Sequence, residues 1–142
     1  MSGAGPVGRL SGGGAVMAHV SLGNHSKIVA RHADQEQIRA FYRDVLGCVL
    51  TKESKHVDYI RFREGFFLAV LYQDSAVSTE EAEKAIWLEL RSDDPAAMRK
   101  QILEFGVREL EVPGGEHLYF QSPGGQVFRL VRNGEDLSRF EQ

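Results

Sequence analysis

A chain of 142 residues, 42% apolar and 26% charged, has enough apolar material for one domain or two small half-domains. The net charge of −3, the pI near 5.9 and the lack of a basic stripe argue against a nucleic-acid binder. No apolar run approaches the roughly 18 residues of a membrane span, and the single cysteine, Cys48, excludes an intrachain disulfide and a cysteine-built metal site.

Residues 1–24 are Gly-rich, without apolar periodicity and without a secretory apolar core. They read as a disordered leader, consistent with a start at Met17, on a cytoplasmic protein. A strand is predicted over residues 26–33. Ile38, Phe41, Tyr42, Val45 and Leu46 then fall on one face of a helix. Asp34 with Gln37 suggests a capping box at its start, and Gly47 a left-handed stop. Cys48 follows in apolar surroundings and reads as a small buried hydrophobe rather than a nucleophile.

Strands are predicted over 48–52, 57–63 and 66–73. In the second of these, Tyr59, Arg61 and Arg63 alternate with Ile60 and Phe62, the period-2 pattern of a half-buried strand. The polar, acidic stretch "SAVSTEEAEK" reads as a linker. A strand over 85–92 leads to a second helix, capped by Asp94, opened by Pro95 and closed by Gly106, with Met98, Ile102 and Phe105 as its apolar stripe. Strands over 107–112, 116–122 and 125–132 complete the pattern. The tail from Asn133 suggests a short helix with Leu137 and Phe140 packing back.

The chain thus repeats itself. Asp34 and Asp94 lie 60 residues apart, as do Gly65 and Gly125, and "REG" and "SPGG" are turns at matching places. The expected class is α+β: two tandem βαβββ modules forming curved sheets around a cleft. The expected divisions are a leader (1–24), a first module (25–74), a linker (75–84), a second module (85–133) and a tail (134–142). Each module leaves an edge and an apolar face uncovered, so a homodimer is expected.

Asp34, Phe41, Tyr42, Leu46 and Gly47, with the "SPGGQVFRLV" hairpin, resemble the vicinal oxygen chelate superfamily. That superfamily includes glyoxalases, bleomycin-resistance proteins, fosfomycin-resistance enzymes and extradiol dioxygenases. The resemblance covers residues 26–132, with Ser122 and Gln126 as departures from the usual hairpin. It implies a divalent metal held by His, Gln or Glu from the first and last strands of each half. Counted seven residues before each capping Asp, the first-strand positions are Lys27 and Trp87. Counted four after each hairpin Gly, the last-strand positions are Ala69 and Arg129. Alanine and indole offer no suitable donor, and lysine and arginine would repel a cation. No cofactor is therefore expected.

Lys27, Arg31, Trp87, Glu89 and Arg129 are the candidate ligand-binding residues. One reading is a pocket for a small anionic or aromatic molecule, with Arg129 as a clamp and Trp87 as a floor. The other is that Lys27 or Arg129 pairs internally with Glu89. A cationic pocket suits an acidic or neutral aromatic ligand better than the cationic bleomycin class. Of five histidines (His19, His25, His32, His56, His117), His56 and His117 occupy corresponding places. They could form a relocated metal site with Glu116 or Asp58, or His56 could act as a general acid/base. Three functions follow: a metal-free binding protein, a glyoxalase-like lyase, isomerase or dioxygenase with a relocated metal, or an accessory module with a vestigial cleft. Finally, "EHLYFQS" at 116–122 resembles a potyviral protease recognition sequence and fits a native strand.

Overall fold

The computed structural model describes residues 17–138. Residues 1–16 of the expected leader, and Phe140 of the tail, lie outside the described residues. Residues 17–23 carry no regular structure and are exposed.

Eight strands form two four-stranded sheets. The first contains β1 (His25–Ala30), β2 (Val49–Glu53), β3 (Val57–Arg61) and β4 (Phe67–Tyr72), in the order β1-β4-β3-β2. The second contains β5 (Trp87–Ser92), β6 (Arg108–Leu110), β7 (Leu118–Gln121) and β8 (Val127–Arg132), in the order β5-β8-β7-β6. In each sheet the first and last strands pair in parallel and the remaining pairs are antiparallel. Parallel pairing requires a crossover, which the helices supply. They are α1 (Gln35–Ala40), continued by a π-helical turn over Phe41–Val45, and α3 (Pro95–Phe105). This is the expected α+β architecture of two βαβββ units.

The helix ends differ in an informative way. Asp94 caps α3 as predicted, its carboxylate accepting from the Ala97 N–H at 3.1 Å, with Pro95 in the first turn and Gly106 left-handed at φ 103°. Asp34 makes no such cap, so the predicted capping box does not form. The residue lies in a 3-10 turn (His32–Asp34) and already has helical dihedrals, whereas a capping side chain needs an extended backbone. At the other end of the same helix, the Cys48 N–H donates to the Tyr42 carbonyl at 2.9 Å across Gly47 (φ 75°), a left-handed stop whose closing bond spans one residue more than a Schellman bond, matching the π-helical turn before it.

The core lies on the helical side of both sheets. Phe41 and Tyr42 are fully buried. The Phe41 ring meets Phe105 at 5.3 Å and Phe120 at 5.8 Å, and Tyr42 meets Phe128 at 6.3 Å. Helix α1 and its π-helical turn thus pack on both sheets, Tyr42 also meeting Phe62 of the first half at 6.4 Å and Ile38 reaching the second-half hairpin. The Tyr42 hydroxyl also bonds Ser122 Oγ at 2.9 Å, and Ser122 Oγ donates to the Gln126 carbonyl at 2.8 Å. A Cβ on Gly124 (φ 90°) would come within 2.7 Å of Ile38 Cδ1, so the hairpin tip must be bare where α1 crosses it.

The segment between the sheets carries a short helix, α2 (Thr79–Ala82), capped by Ser78. It is held to the second sheet by two glutamines. Gln121 Nε2 donates to the Thr79 carbonyl at 2.6 Å, and Gln126 Nε2 to the Ile86 carbonyl at 2.8 Å. Ser122 and Gln126 therefore have structural employment: one ties the hairpin to α1, the other ties it to the connecting segment.

Candidate functional site

Alternation assigns the faces. In β1, Ser26, Ile28 and Ala30 turn toward the helices, and Lys27 and Val29 turn away. In β5, Leu88 and Leu90 turn toward the core, and Trp87, Glu89 and Arg91 turn away. Because α1 lies between the core sides of both sheets, the other two faces point outward on opposite sides of the chain. Val29, Tyr59 and Trp87 are each 41% exposed there, too open for ordinary core positions.

Register then builds two rows. Across the first sheet, Lys27 pairs with Ala69, Ala69 with Tyr59, and Tyr59 with Lys52. The Lys52 ammonium stands 5.5 Å from the centre of the Tyr59 ring. Across the second, Glu89 pairs with Arg129, and Arg129 with Tyr119. Ala69 and Arg129 correspond, as do Tyr59 and Tyr119. Lys27 corresponds to Glu89, not to Trp87, which pairs with Val127 two residues toward the strand start. This corrects the count made from the helix caps. Between strand and helix the first half carries four residues, 31–34, including the 3-10 turn, whereas the second carries two, 93–94.

Arg129 and Glu89 are bound to each other. Arg129 Nε donates to Glu89 Oε2 at 3.0 Å, and Nη2 reaches the same oxygen. The hydrogen bond to Glu89 holds the guanidinium above its ordinary pKa against the effect of its partial burial, with a contribution from Tyr119. Trp87 donates its indole N–H to the Glu83 carbonyl at 2.7 Å and tilts against Tyr119 at 5.8 Å. On the opposite side of the chain, the Lys27 and Arg31 side chains have no hydrogen-bond or ion-pair partner among the described residues. Lys27 and Arg129 therefore do not share a site within one chain. Two surface cavities of about 460 and 450 Å³ border His117, and none of the five candidate residues lines either.

A family model for the glyoxalase-like domain matches residues 27–131. The chain belongs to this family, within the vicinal oxygen chelate superfamily. Comparison with curated proteins gave no significant match. Among solved structures, the fosfomycin resistance protein FosX from Listeria monocytogenes, complexed with Mn(II) and a dihydroxypropylphosphonic acid, superposes with a TM-score of 0.61 at 18% identity, covering 87% of this chain and 98% of FosX. The bleomycin-binding protein of Streptomyces verticillus, complexed with copper(II)-bleomycin, gives 0.55 at 17% identity, covering 83% and 100%. TnmS3, an antibiotic binding protein from a Streptomyces species, gives 0.54 at 20% identity, covering 80% and 98%. At these identities the likeness is one of fold.

The superfamily implies a metal on the outward rows, and the residues here do not fit one. By register the four positions hold Lys27, Ala69, Glu89 and Arg129. Glu89 is the single anionic donor, and its carboxylate is engaged by a guanidinium. Two cations and a methyl group complete the set, so a divalent ion would meet net repulsion.

The relocated set does not assemble either. Among the described residues no group of three or more His, Cys, Asp or Glu is placed to hold a metal. His56 and His117 stand before β3 and β7 in different sheets. His117 Nε2 bonds Glu135 at 2.7 Å, and His56 Nδ1 bonds His32 Nε2 at 3.2 Å. Asp58 is fully buried and paired with Arg39. Two residues of the first row, Tyr59 and Lys52, were not among the candidates. The alternation of Tyr59 with Ile60 placed it on a half-buried strand. Lys52 had no such signal, because a bulge between Leu50 and Lys52 resets the parity of β2.

Proposed function

We propose that this glyoxalase-like protein binds a small anionic, aromatic molecule without a metal, on a site that two copies complete together. The observation carrying the reading is the identity of the four row positions: Lys27 and Arg129 stand where metal donors would be needed. The outward face of the first sheet adds Lys52, over the Tyr59 ring, and Arg61, and among the described residues no acidic side chain stands at an outward position of its strands. Such a surface offers charge to a carboxylate or sulfonate and a flat apolar partner to a ring. A homodimer that sets the first sheet of one copy against the second sheet of the other would form a cleft between the Tyr59 face and the part of the second sheet around Trp87, Glu89 and Arg129, where Val127 and Val131 are already buried. It would also cover Val29, Tyr59 and Trp87. Of the neighbours named above, TnmS3 is an antibiotic binding protein and the other two are complexed with copper(II)-bleomycin and with a dihydroxypropylphosphonic acid, which supports a small-molecule ligand here.

The test is calorimetric titration of EDTA-treated protein with a series of naphthalene carboxylates and sulfonates, alongside sedimentation velocity. Expected are a dimer and saturable binding that weakens at least tenfold in Lys27→Ala. Binding that appears only after Mn²⁺, Zn²⁺ or Ni²⁺ is added would overturn the metal-free reading. A dimer indifferent to Lys27→Ala would overturn the placement of the site.

A further inference from the structure

We propose that His32 and His56 form a binding site for one divalent transition-metal ion of borderline softness, Cu²⁺, Ni²⁺ or Zn²⁺, at one end of the first sheet and apart from the Lys27 row. Three chain segments meet there. His32 leaves β1, His56 enters β3 and Asp74 leaves β4, and these strands are neighbours in the order β1-β4-β3. Backbone bonds lock the junction: the Gln73 N–H donates to the Ala30 carbonyl and the Tyr72 N–H to the His56 carbonyl, both at 2.8 Å.

The imidazole nitrogens converge. His32 Nε2 and His56 Nδ1 are 3.2 Å apart, with the rings nearly perpendicular at 79°. Two nitrogens sharing a tetrahedral ion at about 2.0–2.1 Å each lie about 3.3 Å apart. The pair is therefore already at ligand spacing. On the far side of the first ring, the Asp74 carboxylate accepts from His32 Nδ1 at 3.0 Å. That bond fixes the His32 tautomer and leaves the Nε2 lone pair facing His56, the orienting role an outer carboxylate plays for a ligating histidine. The His32 ring also lies 6.1 Å from the Tyr72 ring, whose hydroxyl is bonded to buried Asp58.

In the metal-free pair, the proton in the shared hydrogen bond belongs to His56 Nδ1, because His32 Nδ1 holds the other. Metal binding moves that proton to His56 Nε2, and the ring of this exposed residue turns its freed lone pair onto the ion. Nitrogen donors select against Mg²⁺ and Ca²⁺. Two protein ligands leave the remaining positions to water or to an anion, so the ion is exchangeable.

Full-length, tag-free protein titrated with Zn²⁺ by calorimetry, and with Cu²⁺ by pulsed EPR, tests this. Expected are one ion per chain, two coordinated imidazoles, at least tenfold weaker binding in both His56→Gln and His32→Gln, and about tenfold weaker binding in Asp74→Asn. His117→Gln and His25→Gln should leave binding unchanged. His56 is exposed, so its variant keeps the fold even if the His32 variant does not. No saturable binding of either ion, or binding unaltered in folded His56→Gln, would overturn the proposal.

Discussion

Replacing Arg39 with methionine should unfold this protein more readily than any surface charge deletion. Asp58, the second residue of β3, is fully buried. Its carboxylate accepts from Arg39 Nε and Nη2, each at 2.9 Å, from the Tyr72 hydroxyl at 2.7 Å, and from the Ser54 N–H at 3.3 Å. One side chain thus joins α1, β3 and β4. Methionine keeps the stem of Arg39 in place and removes both charge-assisted bonds, leaving a buried carboxylate with two neutral donors. Bonds to a charged group contribute about 1.5–3 kcal/mol each, and breaking a buried ion pair from one side costs about 3–5 kcal/mol. Against a typical total of about 5–15 kcal/mol, that is a large share. With a urea m-value of about 2 kcal/mol/M, the midpoint should fall by roughly 2 M. Burial pushes the Asp58 carboxyl up, but the hydrogen bonds from Arg39 and Tyr72 outweigh it and hold it below its ordinary value of 3.8. The stability this adds is complete above that value and is lost as pH falls through the lower folded-state value. Arg39→Met should flatten this acid limb. A loss under about 1 kcal/mol, with the acid limb intact, would refute the reasoning.

Tyr42→Phe deletes the hydroxyl that joins α1 to Ser122, and a loss of about 1–2 kcal/mol in urea unfolding is expected, since Ser122 still donates to Gln126. Burial pushes the Cys48 thiol up to about 12, so native protein at pH 8 should resist a disulfide reagent for as long as it stays folded, and fast labelling would contradict the burial. The Gln121–Ser122 bond ends a strand flanked by β6 and β8. Potyviral protease should therefore cut only through transient opening, at a rate that rises with urea and with Arg39→Met. Cleavage of native protein as fast as of an unstructured peptide would count against that strand assignment.

The fold was legible because its signals are local. Alternation marked β3, short apolar runs between turn residues marked the other strands, and Asp94, Pro95 and Gly106 marked α3 through backbone rules that need no tertiary knowledge. The site was harder to read for reasons the residues make plain. Counting from Asp34 and Asp94 assumed equal turns, and the 3-10 turn at His32–Asp34 moved the partner of Lys27 from Trp87 to Glu89. The bulge in β2 hid Lys52. Which of the two readings held for Arg129 depended on side-chain reach across β5 and β8, a matter of register that periodicity cannot supply. The His32–His56 contact joins residues 24 apart through strand order alone.

Trp87 is the only tryptophan in the chain. Its half-exposed ring lies on the face assigned to the ligand, beside Tyr119 and two strand positions from the Glu89–Arg129 pair. Its emission colour and intensity report the polarity and quenching of that one spot, with no second indole to dilute the signal. The protein therefore carries an intrinsic optical probe. Arrival of an aromatic molecule, or of a second copy over the same face, can be followed at micromolar concentration without a label.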